Sequence, residues 1–424
     1  MHGNVHARPL QPLPPTSENS LHPREINMDG FIGERSEWSI IWGCLTTIFA
    51  CSWVAVQPNI PDTSRSIFFT RLKLMGWMLI APEFVIIWAA RQLVAAHDIA
   101  KKHKGVLLFL WISNQFDNYI ANVDISDRGW TITHGFFLSM GGFVLYNNDV
   151  PGRTLELKEL EQLVSEGEID WPIISKEEID DKSKGDLVSK GLAVLQTTWF
   201  TVQCITRCVV KLDLTQLELA TLAFAVLNII LYGIWWDKPL GVARSQAVRI
   251  HCRHPTTSDR PKSLPPSALA RFWTYFRELF DQIGLFSVVI SGRTFYTPLS
   301  QSDHFTQWVG LIVGILFGGI HCIAWFFVFP STIEEYIWRG SAAAITVIPI
   351  IFFIEFCIDN RIPEESCLKG KIFRAFRRSM IFFWVVVYFV SRIALLVLSL
   401  LALRSLPPKS LSEIEWSSFI PHLF

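Results

Sequence analysis

Apolar stretches close to bilayer length recur along this chain, and they restrict its possible folds more than any other feature. They are Trp38–Val56, Leu72–Leu93, Val188–Val210, Leu217–Trp236, Phe305–Phe329, Ser341–Ile358 and Met380–Leu403. About twenty apolar residues in a helix cross a hydrocarbon layer of roughly 30 Å. A soluble chain with 50% hydrophobic residues would spread them in short periodic runs, and its charged share would exceed the 18% found here. In lipid every backbone N–H and C=O must bond within the protein, so runs of this length predict helices. Trp residues at several run ends, such as Trp38 and Trp236, suit the interfacial aromatic belt. The predicted fold is all-α: a multi-pass transmembrane helical bundle of seven or eight spans with short cytoplasmic amphipathic helices.

The count turns on Trp130–Tyr146. It has about the minimum spanning length but carries His134 and the pair Gly141-Gly142. It reads as a short span, a re-entrant segment or an interfacial helix. Residues 1–36, with Pro9, Pro12, Pro14 and Pro15 and no apolar core, read as a disordered tail rather than a cleavable signal. Residues 37–424 then form one membrane domain with polar insertions at 147–187 and 237–304. Within the first insertion, Leu155, Leu157, Leu160 and Leu163 suggest an amphipathic helix, and Ser175 with Glu178 forms a capping-box pattern. Within the second, Phe272, Tyr275, Phe276, Leu279, Phe280 and Ile283 recur at helical spacing. Lys and Arg concentrate at 147–187, 237–304 and 360–379, which predicts those stretches to be cytoplasmic and the C-terminus to lie on the other side. The Lys101, Lys102 and Lys104 cluster joins them only if Trp130–Tyr146 does not cross, so loop charge favours seven spans.

Net charge is zero, and no basic surplus points to a nucleic-acid partner. Eight Cys lie mostly inside apolar runs without a CxxC pair, so neither a zinc site nor a disulfide framework is expected. Glu177, Glu178, Asp180, Asp181 and Asp186 could suggest a metal, but Lys176, Lys182 and Lys184 interleave them; a capped, solvated helix start fits better. No P-loop, HExxH, GxSxG or dinucleotide motif occurs, so no cofactor or metal is expected, nor ATP-driven transport or the common hydrolase and redox chemistries.

Ionisable groups inside a bilayer are costly and usually face the bundle interior or a wet cavity. Glu83 follows Pro82 in the second run, Arg392 sits in the last, His321 towards one side, and His134 in the ambiguous stretch. Glu83 and Arg392 fall at matching depths and could pair. One reading gathers Glu83, Arg392, His134 and His321 around a polar pocket, where a carboxylic acid could protonate a lipophilic substrate and the many aromatic rings could stabilise a cation. The other makes Glu83–Arg392 a helix clamp and leaves the histidines bonded to backbone. Gln196 and Gln203 share one helix face around Trp199, the single hint of a pore lining.

Several blocks carry a resemblance. They are Trp130-Thr-Ile-Thr-His134-Gly135-Phe136-Phe137, Asp181-Lys182-Ser183-Lys184-Gly185-Asp186, Leu195-Gln196 with Trp199-Phe200, Trp235-Trp236-Asp237-Lys238-Pro239, His321 with Trp325, and Phe419-Ile420-Pro421-His422. Together they resemble a large family of multi-pass membrane proteins of filamentous and mushroom-forming fungi, over nearly the whole chain from Trp38. The resemblance implies a fungal, membrane-bound protein and supplies no catalytic residues. The expected partners are the lipid bilayer and a lipophilic small molecule. The expected role is an intramembrane enzyme of the terpene-cyclase kind or an accessory of lipid or secondary-metabolite biosynthesis. A channel or transporter, and a sensor or scaffold, are the alternatives. Endoplasmic reticulum and plasma membrane are not distinguished.

Overall fold

The computed structural model describes residues 32–60, 67–103, 129–147, 150–183, 187–242, 245–250, 303–359 and 368–414. The amphipathic pattern at 268–290 and residues 1–31 of the expected tail lie outside them. Among the described residues, β1 (Ile32–Glu34) and β5 (Ser412–Ile414) pair antiparallel and make a unit of their own. The last residues of the stretch read as a tail are therefore a strand.

The other unit, 35–411, is mostly helical. Its helices are α1 (Glu37–Phe49, continued as a π-helical turn at Ala50–Val54), α2 (Ile67–Ile80), α3 (Pro82–His103), α4 (Ile132–Ser139), α5 (Leu157–Ser165), α6 (Lys176–Asp181), α7 (Leu187–Val209), α8 (Gln216–Ile234), α9 (Asp303–Cys322), α10 (Thr332–Asp359) and α11 (Leu368–Leu401). Four helices among the described residues, α8 to α11, are long and apolar enough to cross a membrane. α2 and α3 make a fifth only if their bent pair is one broken span.

That pair corrects the expected continuous run Leu72–Leu93. α2 and α3 meet at 116°. Pro82 has no N–H to donate back along α2 and a ring that clashes with the preceding turn, yet it suits the first position of a new helix. Contacts show where the two arms go. Phe68, at the start of α2, meets Trp53 at the end of α1 with ring centroids 5.6 Å apart. Gln92 of α3 bonds Asn59, a few residues beyond the same end of α1. Both contacts lie near the same end of α1, with Glu83 at the break between the arms.

α8 orders the rest. Near its start, Arg35 grips Glu218 with two hydrogen bonds and Gln216 bonds the Val328 carbonyl. Beyond its other end, Lys238 bonds the Gln57 carbonyl. α1 therefore runs parallel to α8 and α9 antiparallel to it. A continuous apolar core fills the bundle, from Leu74, Met78 and Ile86 through Phe224, Leu227 and Phe317 to Trp338 and Ile345. On α1, Trp38, Trp42, Leu45 and Phe49 point outward; on α7, Leu192, Leu195, Trp199, Val202 and Ile205 do the same. Such apolar stripes are what a lipid-facing surface requires.

Trp130–Tyr146 is not one helix. Gly141 takes a left-handed φ of 87°, a conformation that glycine tolerates and that ends α4 after eight residues. The chain then forms β2 (Phe143–Asn147), which pairs antiparallel with β3 (Val150–Thr154) and parallel with β4 (Gln246–Arg249). This small sheet departs from the all-α expectation. It shares a second core with α4, α5 and α6, built on Trp130, Phe137, Phe143, Leu160, Trp171 and Ile179. The expected capping box is present at α6, where Ser175 accepts from the Glu178 N–H and Glu178 accepts from the Ser175 N–H.

Candidate functional site

The break between α2 and α3 places two helix ends inside the bundle. The last carbonyls of α2 are left without helical partners. Arg392 of α11 fills one, donating from Nε to the Ile80 carbonyl at 2.8 Å. Glu83 sits in the first turn of α3, where exposed N–H groups favour negative charge. Arginine at a carboxyl end and glutamate at an amino end both complement the local dipoles.

The two charges face each other without bonding. Arg392 Nη2 stands 3.8 Å from Glu83 Oε2, beyond hydrogen-bond reach, and neither atom has a hydrogen-bond partner among the described residues. Tyr388, one turn before Arg392, donates to Glu83 Oε1 at 2.5 Å. The guanidinium carbon lies 3.8 Å from the Phe317 ring centroid, with Phe224 and Tyr388 farther out at 6.0 Å. Both Glu83 and Arg392 are buried. Removing one member of such a pair typically costs several kcal/mol, about 3–5.

Beside Glu83 opens a small pocket between α3, α9, α10 and α11. Its walls are apolar: Phe84, Ile87, Leu311, Pro349, Phe352 and Phe353. Its polar groups are Glu83, Tyr388 and Gln307, all buried. Gln307 Nε2 has no hydrogen-bond partner among the described residues either. An apolar pocket with a few convergent polar groups is the usual form of a small-molecule site.

The pairing of Glu83 with Arg392 is thus present in the structure; the four-residue cluster is not. His321 lies nearby, its ring centroid 4.6 Å from that of Phe317 and its Nδ1 donating to the Phe317 carbonyl. Phe317 therefore sits against both His321 and Arg392. His134 belongs to the second core. Its Nε2 donates to the Ile174 carbonyl at 2.9 Å, which leaves Nδ1 to accept from the Thr131 N–H and hydroxyl. It caps α4 and ties it to the chain before α6. Burial pushes its pKa down, against the opposing pull of the Ile174 carbonyl, Glu177 and Asp180. Gln196 reaches across to Thr47 of α1 at 3.1 Å, an interhelical bond rather than a pore lining. Among the described residues no group of three His, Cys, Asp or Glu side chains is placed to hold a metal.

Residues 19–254 and 304–423 match the model of a family of unknown function, DUF8562. The chain belongs to that family. No curated protein and no solved structure matches it. Every polar residue of the pocket falls within the family match, which omits 255–303 in the second polar insertion.

Two features escaped the reading of the sequence. Gln307 lies with Thr306 in the first residues of the run Phe305–Phe329, and nothing in the sequence separates it from an interfacial residue. Lys238 reads as a span terminator. In the structure it is buried, with Nζ bonded to the Gln57 carbonyl at 2.7 Å and Gln92 Oε1 at 3.0 Å, over the rings of Trp235 and Trp88. Trp235 Nε1 donates to the same Gln92 oxygen. Burial without an acidic partner among the described residues drives the Lys238 pKa well below the usual lysine value. The Trp235-Trp236-Asp237-Lys238 block carried the only sequence signal for this box.

Proposed function

We propose that this chain is a multi-pass integral membrane protein that handles a lipophilic small molecule in the Glu83 pocket, as an enzyme or as an accessory of a lipid or secondary-metabolite pathway. The observation that carries this reading is the apolar pocket ending on a buried carboxylate with one oxygen unpartnered. Tyr388 donates to Glu83 and Arg392 stands beside it. Arg392 and Tyr388 hold the carboxylate in place, and His321 stands behind Phe317. His134 has no part in this reading.

Six helices cross in the proposed arrangement, α1 and α7 to α11, with α2–α3 re-entrant. The strings of Lys and Arg at 101–104, 147–187, 237–304 and 360–379 then all face one side, taken as the cytoplasm by the positive-inside rule. The test is binding. The full chain in lipid nanodiscs should show saturable retention of hydrophobic compounds from a cellular lipid extract. Substituting Leu311→Trp, which enlarges a wall residue of the pocket on α9, should abolish it. Equal retention by both forms would defeat the reading.

A second reading, transport, draws on the 116° break itself, since secondary transporters place substrate sites at broken helices. Solute flux in proteoliposomes that is lost in Glu83→Gln would favour it.

A further inference from the structure

Two connections meet at the end of the bundle where α8 starts, and their surfaces differ. Gln216 of α8 donates from its side chain to the Val328 carbonyl at 3.0 Å, which ties the α7–α8 connection to the α9–α10 connection. The first is polar at its surface, with Lys211 and Asp213 exposed. The second is apolar. Phe326 and Val328 are 90% and 76% exposed, and Ile323, Trp325, Ile333 and Tyr336 stand out around them. Apolar area left in water is unfavourable, so a connection bathed in solvent has no use for such a tip. Exposed apolar patches of this kind mark contact with a membrane or with a partner.

Three observations favour the membrane. The charges around the tip are paired, Arg339 with Glu335 and Arg404 with Glu334, and Arg339 also donates to the Trp325 carbonyl. Paired charges cost less than lone ones where water is scarce. The tip also continues the outward apolar face of α9, which carries Ile312, Ile315 and Leu316. A face made for hydrocarbon should give way to polar residues at the water boundary; this one carries on over the connection. Finally, Trp325 and Tyr336 have the amphipathic rings that settle at the headgroup level. We propose that the α9–α10 connection lies within the headgroup region of the bilayer, with Phe326 and Val328 reaching the acyl boundary, while Lys211 and Asp213 on the neighbouring connection stay in water. This surface fits a lipid leaflet. The inference rests on the helices crossing a bilayer and is independent of the Glu83 pocket.

The experiment uses the full chain in lipid nanodiscs, in a background without native cysteines. A fluorescent nitrobenzoxadiazole label is attached in turn to Phe326→Cys, Val328→Cys, Asp213→Cys and, as a lipid-facing reference, Ile312→Cys. All four side chains are exposed, so the substitutions leave the core intact. Quenching is measured with iodide in the water and with nitroxide-bearing phosphatidylcholine in the bilayer. The labels at 326 and 328 should be quenched by the nitroxide lipid about twofold or more above the label at 213, and by iodide correspondingly less. Iodide quenching at 326 and 328 equal to that at 213 would put the tip in water and overturn the inference. Shielding of both from iodide and nitroxide alike would mean that protein covers the tip, and would overturn it too. A label at 312 that the nitroxide lipid does not reach would instead defeat the membrane-crossing reading on which the inference rests.

Discussion

Glu83 and Arg392 together show how a buried pair can be held and still incomplete. Each is fixed from outside the pair, Glu83 by Tyr388 and its helix end, Arg392 by the Ile80 carbonyl and Phe317. The remaining gap leaves one carboxylate oxygen without a hydrogen-bond partner among the described residues. Substituting Glu83→Gln leaves the guanidinium without a counter-charge and should lower stability by about 3–5 kcal/mol. The double change Glu83→Met with Arg392→Met should cost less than the sum of the two single ones, since no buried charge is stranded. Thermal unfolding of the four proteins in detergent measures that cycle, and strict additivity would mean the two side chains do not interact. His134 gives a prediction in pH. Its folded pKa is pushed down by burial, whereas in the unfolded chain it returns to about 6.5. The unfolded state then binds the extra proton, so stability is full above about pH 6.5 and falls as pH drops below it. His134→Gln should flatten that slope in an unfolding series from pH 7.5 to 5, and an unchanged slope would assign the effect elsewhere.

Among elements, α9 packs closely on its neighbours through a row of glycines. Gly310, Gly314 and Gly318 recur every fourth residue, so they share one face. A Cβ at Gly310 would meet Ile87 of α3 at 2.8 Å, one at Gly314 would meet Pro349 of α10 at 2.6 Å, and one at Gly318 would meet the Thr346 backbone at 2.7 Å. Small residues at this spacing let helices approach without a hydrophobic driving force between them. The motif stands in the sequence as Gly-xxx-Gly-xxx-Gly and marks this packing face directly. Gly318→Leu collides with backbone and cannot be relieved by a rotamer change; it should destabilise the bundle by about 1–3 kcal/mol or more. Gly319→Leu, whose added atom meets nothing, is the matched control. Comparable losses in both would point to helix propensity instead of packing. Pro82 acts at the same scale, but its outcome was open: proline breaks a helix, while only the packing of both arms decides whether the chain continues across or turns back.

At the scale of the whole molecule, the proposed six crossings with a re-entrant pair would place the Lys101–Lys104 cluster on the side of the other basic stretches. A single cysteine introduced at Glu168, in a background without native cysteines, should react with an impermeant maleimide from the cytosolic face of sealed vesicles. One introduced at Asp213 should react from the opposite face. Labelling of both from one side would overturn the arrangement. Among the native thiols, Cys208 and Cys357 are exposed on the protein surface and Cys44, Cys51 and Cys204 are buried.

The sequence by itself determined the helical, membrane-scale character of the chain, because apolar run length against bilayer thickness is a local property. It also placed the α6 capping box and matched Glu83 with Arg392 in depth, since both follow from counting along the chain. Tertiary structure decided what depends on neighbours far apart in sequence. Trp130–Tyr146 became a short helix and a strand because β3 and β4 were there to pair with it. Lys238 was drawn inward by Gln57 and Gln92, and His134 was bound to Ile174, away from Glu83. The pocket itself exists only where α3, α9, α10 and α11 converge: local hydropathy records that Gln307 is polar, and packing alone brings it to a common cavity with Glu83.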